Sequence, residues 1–344
     1  ELFKVVADTL VQEADILPIL HCMAVETIME GDTIKGIITE SKSGRQAILA
    51  KRVIDATGDA DIAHLAGAPW RKAPKNELLG VTMTFSLTGV DRKRFLAHVK
   101  TNPSTYKDWG VETSGKEDNM FSPYLNVPFQ LAKEAGEIPG DLEIAGTWSR
   151  ISEQGDATYL NIVYILGHDA TDVHDLTRGE IEGRKQAMWA ANALKKYTPG
   201  FENASLRSFG SSIGIRESRK IIGRYNLTEK DVRNQGRFDD AIGMFPEFLD
   251  GYGIVILPTT GRYFQVPYGI MVPQKVENLL VAGRCVAGDR ISHSATRQMM
   301  CCTVTGQAAG VAAALSIKDK NHCSQVDIAA LQKALSKQGV RIKI

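Results

Sequence analysis

The sequence predicts a mixed α/β fold in which one domain is interrupted by a long insertion. Apolar strands and helical patterns occur before residue 70 and return after residue 265. Between these segments, aromatic and polar residues interleave, and Pro and Gly often break the periodicity. Because α/β segments bury their apolar faces against one another, the two outer segments are expected to share one core. The middle then has the character of an inserted domain.

Composition excludes several function classes. The chain has 344 residues, of which 43% are hydrophobic and 24% are charged, as in a globular protein with a sizeable core. Its 41 basic and 40 acidic residues give a net charge of +1, so no overall field attracts nucleic acid. No apolar run reaches the ~18 residues that a membrane-spanning helix needs. We therefore predict a small-molecule substrate without a nucleic-acid or membrane partner, and a homo-oligomer is left open.

The cysteines and histidines follow no disulfide or metal-binding pattern. Cys301 and Cys302 are adjacent, no C-x-x-C occurs, and an odd count of five makes no disulfide framework. The seven histidines are scattered without ligand spacing, so we predict no metal site. Free thiols fit a reducing compartment, which favours a cytoplasmic location.

The chain opens inside a helical pattern. Apolar residues recur at helical spacing over residues 1–14, and the first residue is Glu. Such a chain is expected to have lost its original N-terminus, together with any targeting signal.

Strand signals dominate the rest of the segment before residue 70. Gly31-Asp32 and Ser43-Gly44-Arg45 supply the turn chemistry between alternating apolar runs. The predicted elements are a short strand at 16–21, three antiparallel strands at 24–29, 33–40 and 47–51, a strand at 52–55 that enters a tight turn, and a short helix at 62–67.

Three elements are predicted within the insertion. Residues 81–87 and 159–165 have strand patterns, and residues 175–197 have a clear helical pattern. Asp175 is predicted to cap this helix, because an Asp before an acidic first turn is typical of a helix start. Helices, strands and long loops mix here without repeats, which favours a substrate-binding or cap domain.

The pattern of apolar strands and helices seen before residue 70 returns after the insertion. Residues 276–284 form an apolar strand, a polar loop follows, and residues 303–317 form a helix of small residues. An amphipathic helix is predicted at 326–337. The predicted domains are 1–69 and 266–320 for the two parts of the interrupted domain, 70–265 for the insertion, and 321–344 for a C-terminal helix and tail.

Small residues stand where two of these strands enter turns. The strand at 52–55 ends in Ala-Thr-Gly, and small residues there let the chain pass close to a planar or phosphorylated ligand. The strand at 276–284 is followed by the small-residue helix, and free N–H groups at a helix start favour anions and electron-rich atoms. Close helix packing is the alternative explanation of the glycines in that helix.

Four motifs follow one another along the chain. They are IDATGDAD at 54–61, GIRESR at 214–219, NLLVAGR at 278–284 and TVTGQAAGVA at 303–312. In this order they resemble the family of FAD-dependent oxidoreductases that have the glutathione-reductase-type flavoprotein fold. The resemblance covers nearly the whole chain and is strongest over 40–90 and 205–317.

The resemblance implies an FAD/NAD(P)-binding-type domain, incomplete at its N-terminus, with an inserted mixed sheet-and-helix substrate or cap domain. It also implies FAD as the cofactor. The strand at Val25 would pass the adenine and ribose, and the strand end at Gly283 would reach the ribityl chain. The start of the helix at Thr303 would point its N–H groups at the flavin pyrimidine ring, where the helix dipole stabilises negative charge. The implied cofactor-binding residues are Val25, Ala56, Thr57, Gly58, Gly283, Arg284, Asp289, Thr303, Gly306 and Gln307.

One motif of the family does not occur in the sequence. The fingerprint G-x-G-x-x-G, which opens the first βα turn of such domains, is found nowhere in the 344 residues. The sequence is therefore expected to be the C-terminal portion of a flavoprotein, without a first βαβ unit of about 30 residues. FAD binding would then depend on that unit in the full-length protein.

Three side chains are candidates for chemistry on a substrate. His293 and Arg297 precede the predicted flavin helix, and a His in this position is able to move protons near neutral pH. The Arg216 guanidinium is able to hold a carboxylate or a cofactor phosphate, with Arg219 beside it. An internal salt-bridge cluster is the alternative for the arginines, and a structural role is the alternative for His293.

Two functions from different classes fit these observations. The first is an enzyme that transfers a hydride between a small organic substrate and FAD. The second is a non-catalytic scaffold or binding protein that retains the flavoprotein fold and has lost FAD binding. A halogenase or hydroxylase that uses flavin and oxygen shares the fold and is not distinguished by the sequence.

Overall fold

The computed structural model describes residues 2–101, 126–142, 144–147, 150–256, 258 and 261–343. These residues confirm the predicted mixed α/β class. The helices are α1 (Leu2–Glu13), α2 (Asp61–Leu65), α3 (Arg92–Thr101), α4 (Asn126–Glu134), α5 (Val173–Tyr197), α6 (Glu229–Arg233), α7 (Arg290–Thr296), α8 (Met299–Lys318) and α9 (Ile328–Lys337). The strands are β1 (Met23–Glu30), β2 (Thr33–Ser41), β3 (Gly44–Leu49), β4 (Val53–Asp55), β5 (Trp70–Arg71), β6 (Phe85–Thr88), β7 (Ile144–Thr147), β8 (Arg150–Ile151), β9 (Ala157–Val163), β10 (Ser205–Phe209), β11 (Lys220–Ile221), β12 (Ala241–Pro246), β13 (Leu249–Gly251), β14 (Ile254–Ile256), β15 (Tyr263–Pro267) and β16 (Leu279–Val281).

An antiparallel meander of β1, β2 and β3 confirms the three strands predicted near the start of the chain. The additional strand predicted at 16–21 is wrong. Residues 16–22 pair with no strand of the described structure, and Leu17 is 83% exposed. Pro18 has no N–H to contribute to a ladder, and an apolar run without a pairing partner does not form a strand.

The parallel pair β4–β16 joins the two outer segments of the chain. Leu279 lies opposite Val53, and Val281 lies opposite Asp55. The Ala282 N–H extends this pairing by donating to Asp55 O at 2.9 Å. All of β16 is buried, as is usual for parallel strands. Because parallel strands end at the same edge, the turns that follow β4 and β16 lie side by side.

Two hydrophobic cores divide the chain. One extends from Ile34 to Ala68 and from Ile221 to Ile342, and the other extends from Val81 to Ile213. The predicted domain boundaries stay a prediction, but the buried residues between 221 and 264 pack in the first core, not in that of the insertion. Their strand β12 approaches α8 closely, since a Cβ added at Gly243 would lie 2.7 Å from Val304 Cγ1.

The second core lies between a five-stranded antiparallel sheet and α5. The strand order is β10-β6-β9-β7, and β8 pairs with β9. The strand predicted at 81–87 is only partly confirmed, because Val81 and Thr82 form isolated bridges with residues outside this sheet and β6 begins at Phe85. The strand predicted at 159–165 lies slightly earlier, as β9.

The α5 helix is capped by Asp172, so the prediction that Asp175 caps it is wrong. Asp172 Oδ1 accepts hydrogen bonds from His174 N–H at 2.7 Å and Asp175 N–H at 3.3 Å. The helix thus begins two residues earlier than its predicted start. Asp175 lies inside the first turn, where its buried carboxylate pairs with Lys75 and Arg178.

The polar loop predicted before the small-residue helix contains a further helix, α7, and α8 begins at Met299 instead of Thr303. Met299 to Cys302 are apolar or small residues that extend the helix upstream. The N–H groups without an acceptor inside α8 are therefore those of residues 299–301, because Cys302 N–H already donates to Gln298 O at 2.9 Å.

By length and composition, α8 would be able to cross a membrane, with a mean hydropathy of 1.5. Core helices of globular folds meet the same criterion. In this fold Ala308, Ala309 and Ala312 are completely buried in the first core, so part of the apolar surface of α8 is used in packing.

Glycines on α5 and α8 predict opposite responses to alanine. In Gly183→Ala, the new Cβ would lie 2.8 Å from Met83 Cβ and 3.0 Å from Ile213 Cδ1. We expect this change to lower the free energy of unfolding by about 1–3 kcal/mol, although alanine is the better helix former. In the control, Gly306→Ala, no described atom lies within 4 Å of the new Cβ, and we expect a gain of about 0.5–1 kcal/mol. Urea denaturation measures both, and a Gly183→Ala protein as stable as the wild type would contradict the packing.

The Asp175 carboxylate predicts a pH-dependent contribution to stability. Hydrogen bonds from Lys75 and from Asp169 N–H lower the pKa of Asp175 to about 2. Because this folded-state pKa lies below the unfolded value of about 4, the contribution is complete above pH ~4 and is lost as the pH falls towards ~2. We expect the difference in melting temperature between wild type and Asp175→Asn to shrink over that window. Asp8→Asn, at an exposed position of α1, is the control. A difference that is constant with pH would contradict this assignment.

Candidate functional site

The turn after β4 is organised by one buried carboxylate. Asp55 accepts hydrogen bonds from Thr57 N–H at 3.0 Å, Thr57 Oγ1–H at 2.7 Å and Ala63 N–H at 2.9 Å. Thr57 Oγ1 in turn accepts from Asp59 N–H at 3.3 Å and Asp61 N–H at 3.1 Å. The Asp55 and Thr57 side chains therefore accept hydrogen bonds from the N–H groups of this turn. These bonds determine the backbone path of residues 56–61.

Gly58 lies against an arginine from the turn that follows β16. Its φ of 81° is in the left-handed region, and an added Cβ would lie 2.6 Å from Arg284 Nη2. The same Nη2 donates to Asp59 Oδ1 at 2.8 Å, and the two side chains are only 17% and 18% exposed. Water screens such a pair less than a surface pair. The structure thus brings together Gly58 and Arg284, two of the residues predicted to bind the cofactor.

Arg284 also carries an unused donor. Its Nη1 is buried and has no hydrogen-bond partner among the described residues. A buried guanidinium N–H without an acceptor is costly, and such groups call for a physical explanation. A ligand oxygen placed beside Nη1 would satisfy it.

The turn after β16 contacts α8 through Thr305. Gly283, with a φ of 84°, donates its N–H to Thr305 Oγ1 at 2.9 Å. Thr303 and Gln307 are two residues away on either side, so they point ~200° around the helix axis from Thr305. Both line a groove with the C-terminal turn, where Gln307 Nε2 donates to Gln338 Oε1 at 2.9 Å. The structure therefore places these two predicted residues away from the turn that contains Gly283.

The fold also gives the positions of three further predicted residues. Val25 lies in β1 where the register with β2 shifts, since Ala24 pairs with Thr39 and Glu26 pairs with Ile38. The residue skipped at such a bulge has main-chain groups outside the ladder, as a backbone contact to a ligand would require. Ala56 lies between Asp55 and the Gly58 turn, and Gly306 lies on the exposed face of α8.

Asp289 caps the starts of two helices, and its predicted contact with the cofactor stays a prediction. Its Oδ1 accepts from Ser292 N–H at 2.7 Å, which caps α7. Its Oδ2 accepts from Glu229 N–H at 2.7 Å, at the first residue of α6. Both carboxylate oxygens are thus occupied by helix starts, where a negative charge is favourable.

The segment 216–220 contacts the second core through Arg216. Its Nη1 donates to Gly80 O at 2.8 Å, and its Nη2 donates to Asn161 Oδ1 at 2.9 Å. The guanidinium also lies over the Tyr164 ring, 5.1 Å from its centroid. All of these partners are neutral. Burial and the nearby Arg297 lower the pKa of Arg216.

The following residues of the same segment contact the first core. Ser218 Oγ donates to Asp59 Oδ1, the oxygen that also accepts from Arg284. Arg219 Nε donates to Asp59 O at 3.1 Å, and Arg219 Nη2 pairs with Asp61. Arg219 therefore belongs to an internal ion-pair cluster, which was the alternative considered for this residue.

A buried ion pair lies between these two sets of contacts. Glu217 Oε1 pairs with Lys220 Nζ, and Glu217 Oε2 accepts from Leu79 N–H at 3.0 Å. Both charged side chains are almost completely buried. Burial lowers the pKa of Lys220, and Glu217 opposes this shift. Loss of either partner would leave a buried charge, so the pair constrains the segment strongly.

His293 is held in a single tautomer. Its Nε2 lies 3.1 Å from Arg216 O, and because a carbonyl oxygen only accepts, Nε2 carries the proton. Nδ1 then holds the lone pair of the neutral ring, and it is buried without a partner among the described residues. Burial and the nearby Lys220 hold the pKa of His293 well below its usual range, so the ring is neutral at pH 7.

Arg297 lies one helical turn after His293, and its N–H donates to His293 O at 3.0 Å. Its Nη2 donates to Asp250 Oδ2 at 3.1 Å and also to Asp250 O. Its Nε is buried and has no acceptor in the described part of the chain. Arg216, His293 and Arg297 therefore lie together, with the Asp250 carboxylate paired to Arg297.

Sequence analysis missed several residues that build this site: Asp59, Ser218, Asp250 and Thr305. Asp59 and Ser218 lie inside two of the four motifs, but no local signal shows that Ser218 and Arg284 both donate to Asp59. Asp59 and Arg284 are 225 residues apart in the chain. Sequence analysis would have identified Thr305 only if it had predicted correctly which face of α8 lies against Gly283.

Comparison with known proteins identifies the class to which this fold and site belong. The model of a family described as FAD dependent oxidoreductase matches residues 1–335, so the chain belongs to the FAD-dependent oxidoreductase family. The predicted resemblance is thereby confirmed. No curated protein matches the chain.

The solved structures that are similar to the chain include a reductase-like protein and a flavin-dependent brominase. One is a geranylgeranyl bacteriochlorophyll reductase-like protein from Thermoplasma acidophilum, with 10% identity, a TM-score of 0.40, and coverage of 92% of this chain and 53% of that chain. The other is a triple mutant of the flavin-dependent brominase Bmp2, with 12% identity, a TM-score of 0.41, and coverage of 97% of this chain and 59% of that chain. This chain spans just over half the length of either protein.

The residues around Arg284 fit the cofactor that the family implies. Arg284 Nη1 is a buried cationic donor that lacks an acceptor among the described residues. The N–H groups of residues 299–301 have no acceptor inside α8, and the positive end of a helix dipole favours electron-rich atoms. Gly306 and Gly310 leave one face of α8 open, since no described atom lies within 4 Å of a Cβ added at either position. Donors and open space of this kind suit a flavin dinucleotide.

The contact between the two turns predicts a measurable coupling energy. In a double-mutant cycle with Asp59→Asn and Arg284→Met, we expect a coupling of about 1–3 kcal/mol in the free energy of unfolding, because the ion pair is mostly buried. The matched control is Glu26→Gln with Arg45→Met, a pair in which both side chains are 55% exposed. That pair should couple by less than about 0.5 kcal/mol. Equal coupling in the two cycles would show that burial adds nothing to the Asp59–Arg284 contact.

Proposed function

We propose that this chain forms part of an FAD-dependent oxidoreductase that transfers a hydride between a small organic substrate and FAD. The observation that carries this proposal is the unused, buried donor of Arg284 at the contact between two turns. Membership in the family supports FAD as the cofactor. A small-molecule substrate and a cytoplasmic location belong to the same proposal.

The residues that would hold FAD surround Arg284. The Ala56–Thr57–Gly58 turn would provide main-chain approach, and Arg284 Nη1 would donate to a cofactor oxygen. The open N–H groups at the start of α8 would face electron-rich atoms of the flavin. Bound FAD supplies the hydride acceptor or donor, which protein side chains do not provide.

The substrate side of the site is proposed at Arg216, His293 and Arg297. The two guanidinium groups would hold an electron-rich or anionic part of the substrate, using the unpartnered Arg297 Nε. Neutral His293 would accept a proton or a hydrogen bond at Nδ1, while Nε2 stays bound to Arg216 O. Nothing in the described residues favours the scaffold alternative over this arrangement.

Addition of FAD to the purified full-length protein tests the role of Arg284. We expect saturable quenching of FAD fluorescence by the wild type, and at least a tenfold weaker dissociation constant for Arg284→Met, or a loss of about 1.4 kcal/mol. Arg224→Met is the matched control, because Arg224 pairs with Glu277 at a half-exposed position of the first core. The control should bind FAD as the wild type does.

Two outcomes would overturn the proposal. In the first, wild type and variants leave the FAD fluorescence unchanged. In the second, Arg284→Met and Arg224→Met bind FAD equally well, which would place the cofactor elsewhere. Circular dichroism melting of each variant shows whether a loss of binding reflects loss of the fold.

A further inference from the structure

A cleft of about 460 Å³ lies in the inserted domain, outside the site proposed for FAD. It is formed by one face of α5, by residues 164–166 after β9, and by residues 139–142. Its polar and aromatic lining consists of Asp141, Tyr164, Glu182, Lys185, Gln186 and Trp189. Clefts of this size accommodate small organic molecules.

One wall of the cleft holds a buried acceptor that is not used. Gln186 is 4% exposed, and its Nε2 donates to Glu182 Oε1 at 2.8 Å. Its Oε1 has no hydrogen-bond partner among the described residues. A carboxamide oxygen in this state requires a donor, and neither Asp141 nor Glu182 provides one when ionised.

Behind Glu182 lies a second buried group without a hydrogen-bond partner. His168 Nδ1 lies 2.9 Å from Leu166 O, to which it donates. Its Nε2 is buried without a hydrogen-bond partner in the described residues, and Glu182 Oε2 lies 3.8 Å from it.

The aromatic wall already accommodates a cation. Lys185 Nζ lies 4.7 Å from the centroid of the Trp189 ring, a cation–π distance. Lys185 is exposed and therefore able to swing away from this ring. The lining contains two carboxylates, Asp141 and Glu182, and the Lys185 ammonium, while the Arg216 guanidinium lies over the Tyr164 ring, 5.1 Å from its centroid. When Lys185 moves away, the two carboxylates and the Trp189 ring favour a positively charged ligand.

We propose that this cleft binds an organic amine in its ammonium form, with Glu182 as the principal acceptor and Trp189 as the aromatic wall. An ammonium has only donors, so it complements the unused oxygen of Gln186 as well as the carboxylate. An organic anion would meet two carboxylates instead. A metal ion lacks ligands here, because no group of three or more His, Cys, Asp or Glu side chains able to hold one occurs in the described residues.

Calorimetric titration of the purified chain near pH 8, without added flavin, tests this proposal independently of FAD binding. The probes are benzylammonium, its neutral analogue benzyl alcohol, and the anion benzoate. We expect benzylammonium to bind with a dissociation constant below about 1 mM, at least tenfold more tightly than either analogue. Equal binding of benzyl alcohol, stronger binding of benzoate, or no saturable binding of benzylammonium would overturn the proposal.

Substitutions of residues that line the cleft test whether benzylammonium binds there. Glu182→Gln should weaken benzylammonium binding about tenfold by removing the charge while keeping an acceptor oxygen. Its control is Glu229→Gln on α6, because Glu229 has the same side-chain exposure of 45%. Lys185→Met should strengthen binding several-fold, since it removes the internal cation from Trp189.

Trp189→Leu provides a second test, which is still valid when the Glu182→Gln protein does not fold. It removes the aromatic wall and should weaken binding about fivefold. Melting temperatures confirm which variants are folded. Unchanged affinity in folded Glu182→Gln or Trp189→Leu protein would show that the amine binds elsewhere and would overturn the assignment.

Discussion

The ion pair between Asp59 and Arg284 joins two turns that are 225 residues apart in the chain, and the candidate cofactor site depends on it. The two turns lie side by side because β4 and β16 pair in parallel and end at one edge. Gly58 permits this approach, since any larger residue would displace the arginine. The same arginine keeps one donor free. A structural contact and a proposed ligand-binding group are thus combined in one side chain.

The second constraint is the segment 216–220, whose side chains form hydrogen bonds with residues next to each of the two hydrophobic cores. Arg216 contacts the sheet of the insertion, whereas Ser218 contacts Asp59 beside the proposed cofactor site. The backbone oxygen of Arg216 also determines which nitrogen of His293 is protonated. Displacement of this segment would therefore alter the proposed substrate and cofactor residues together. Burial of the Glu217–Lys220 pair makes such displacement costly.

Much of the fold was predictable, because helices and strands follow local periodicity. The meander of β1, β2 and β3, the helix α5 and the strand β16 were all expected from the pattern of apolar residues. The short strand at 16–21 was not found, because an apolar run becomes a strand only beside a partner. The start of α8 was misplaced by four residues, since the polar residues before it conceal the separate helix α7.

The sequence by itself determined the fold class, the family and the small residues that let the turns approach, because these are properties of local pattern and motif order. Only the tertiary structure decided which side chains meet. It placed Thr305, and not Thr303 or Gln307, against Gly283, and it gave Asp289 to helix capping. Consecutive side chains of a helix point ~100° apart around its axis. The spacing of a motif in the sequence therefore does not specify which way each of its side chains points. Contacts between distant segments depend further on the path of the whole chain, which local patterns do not contain.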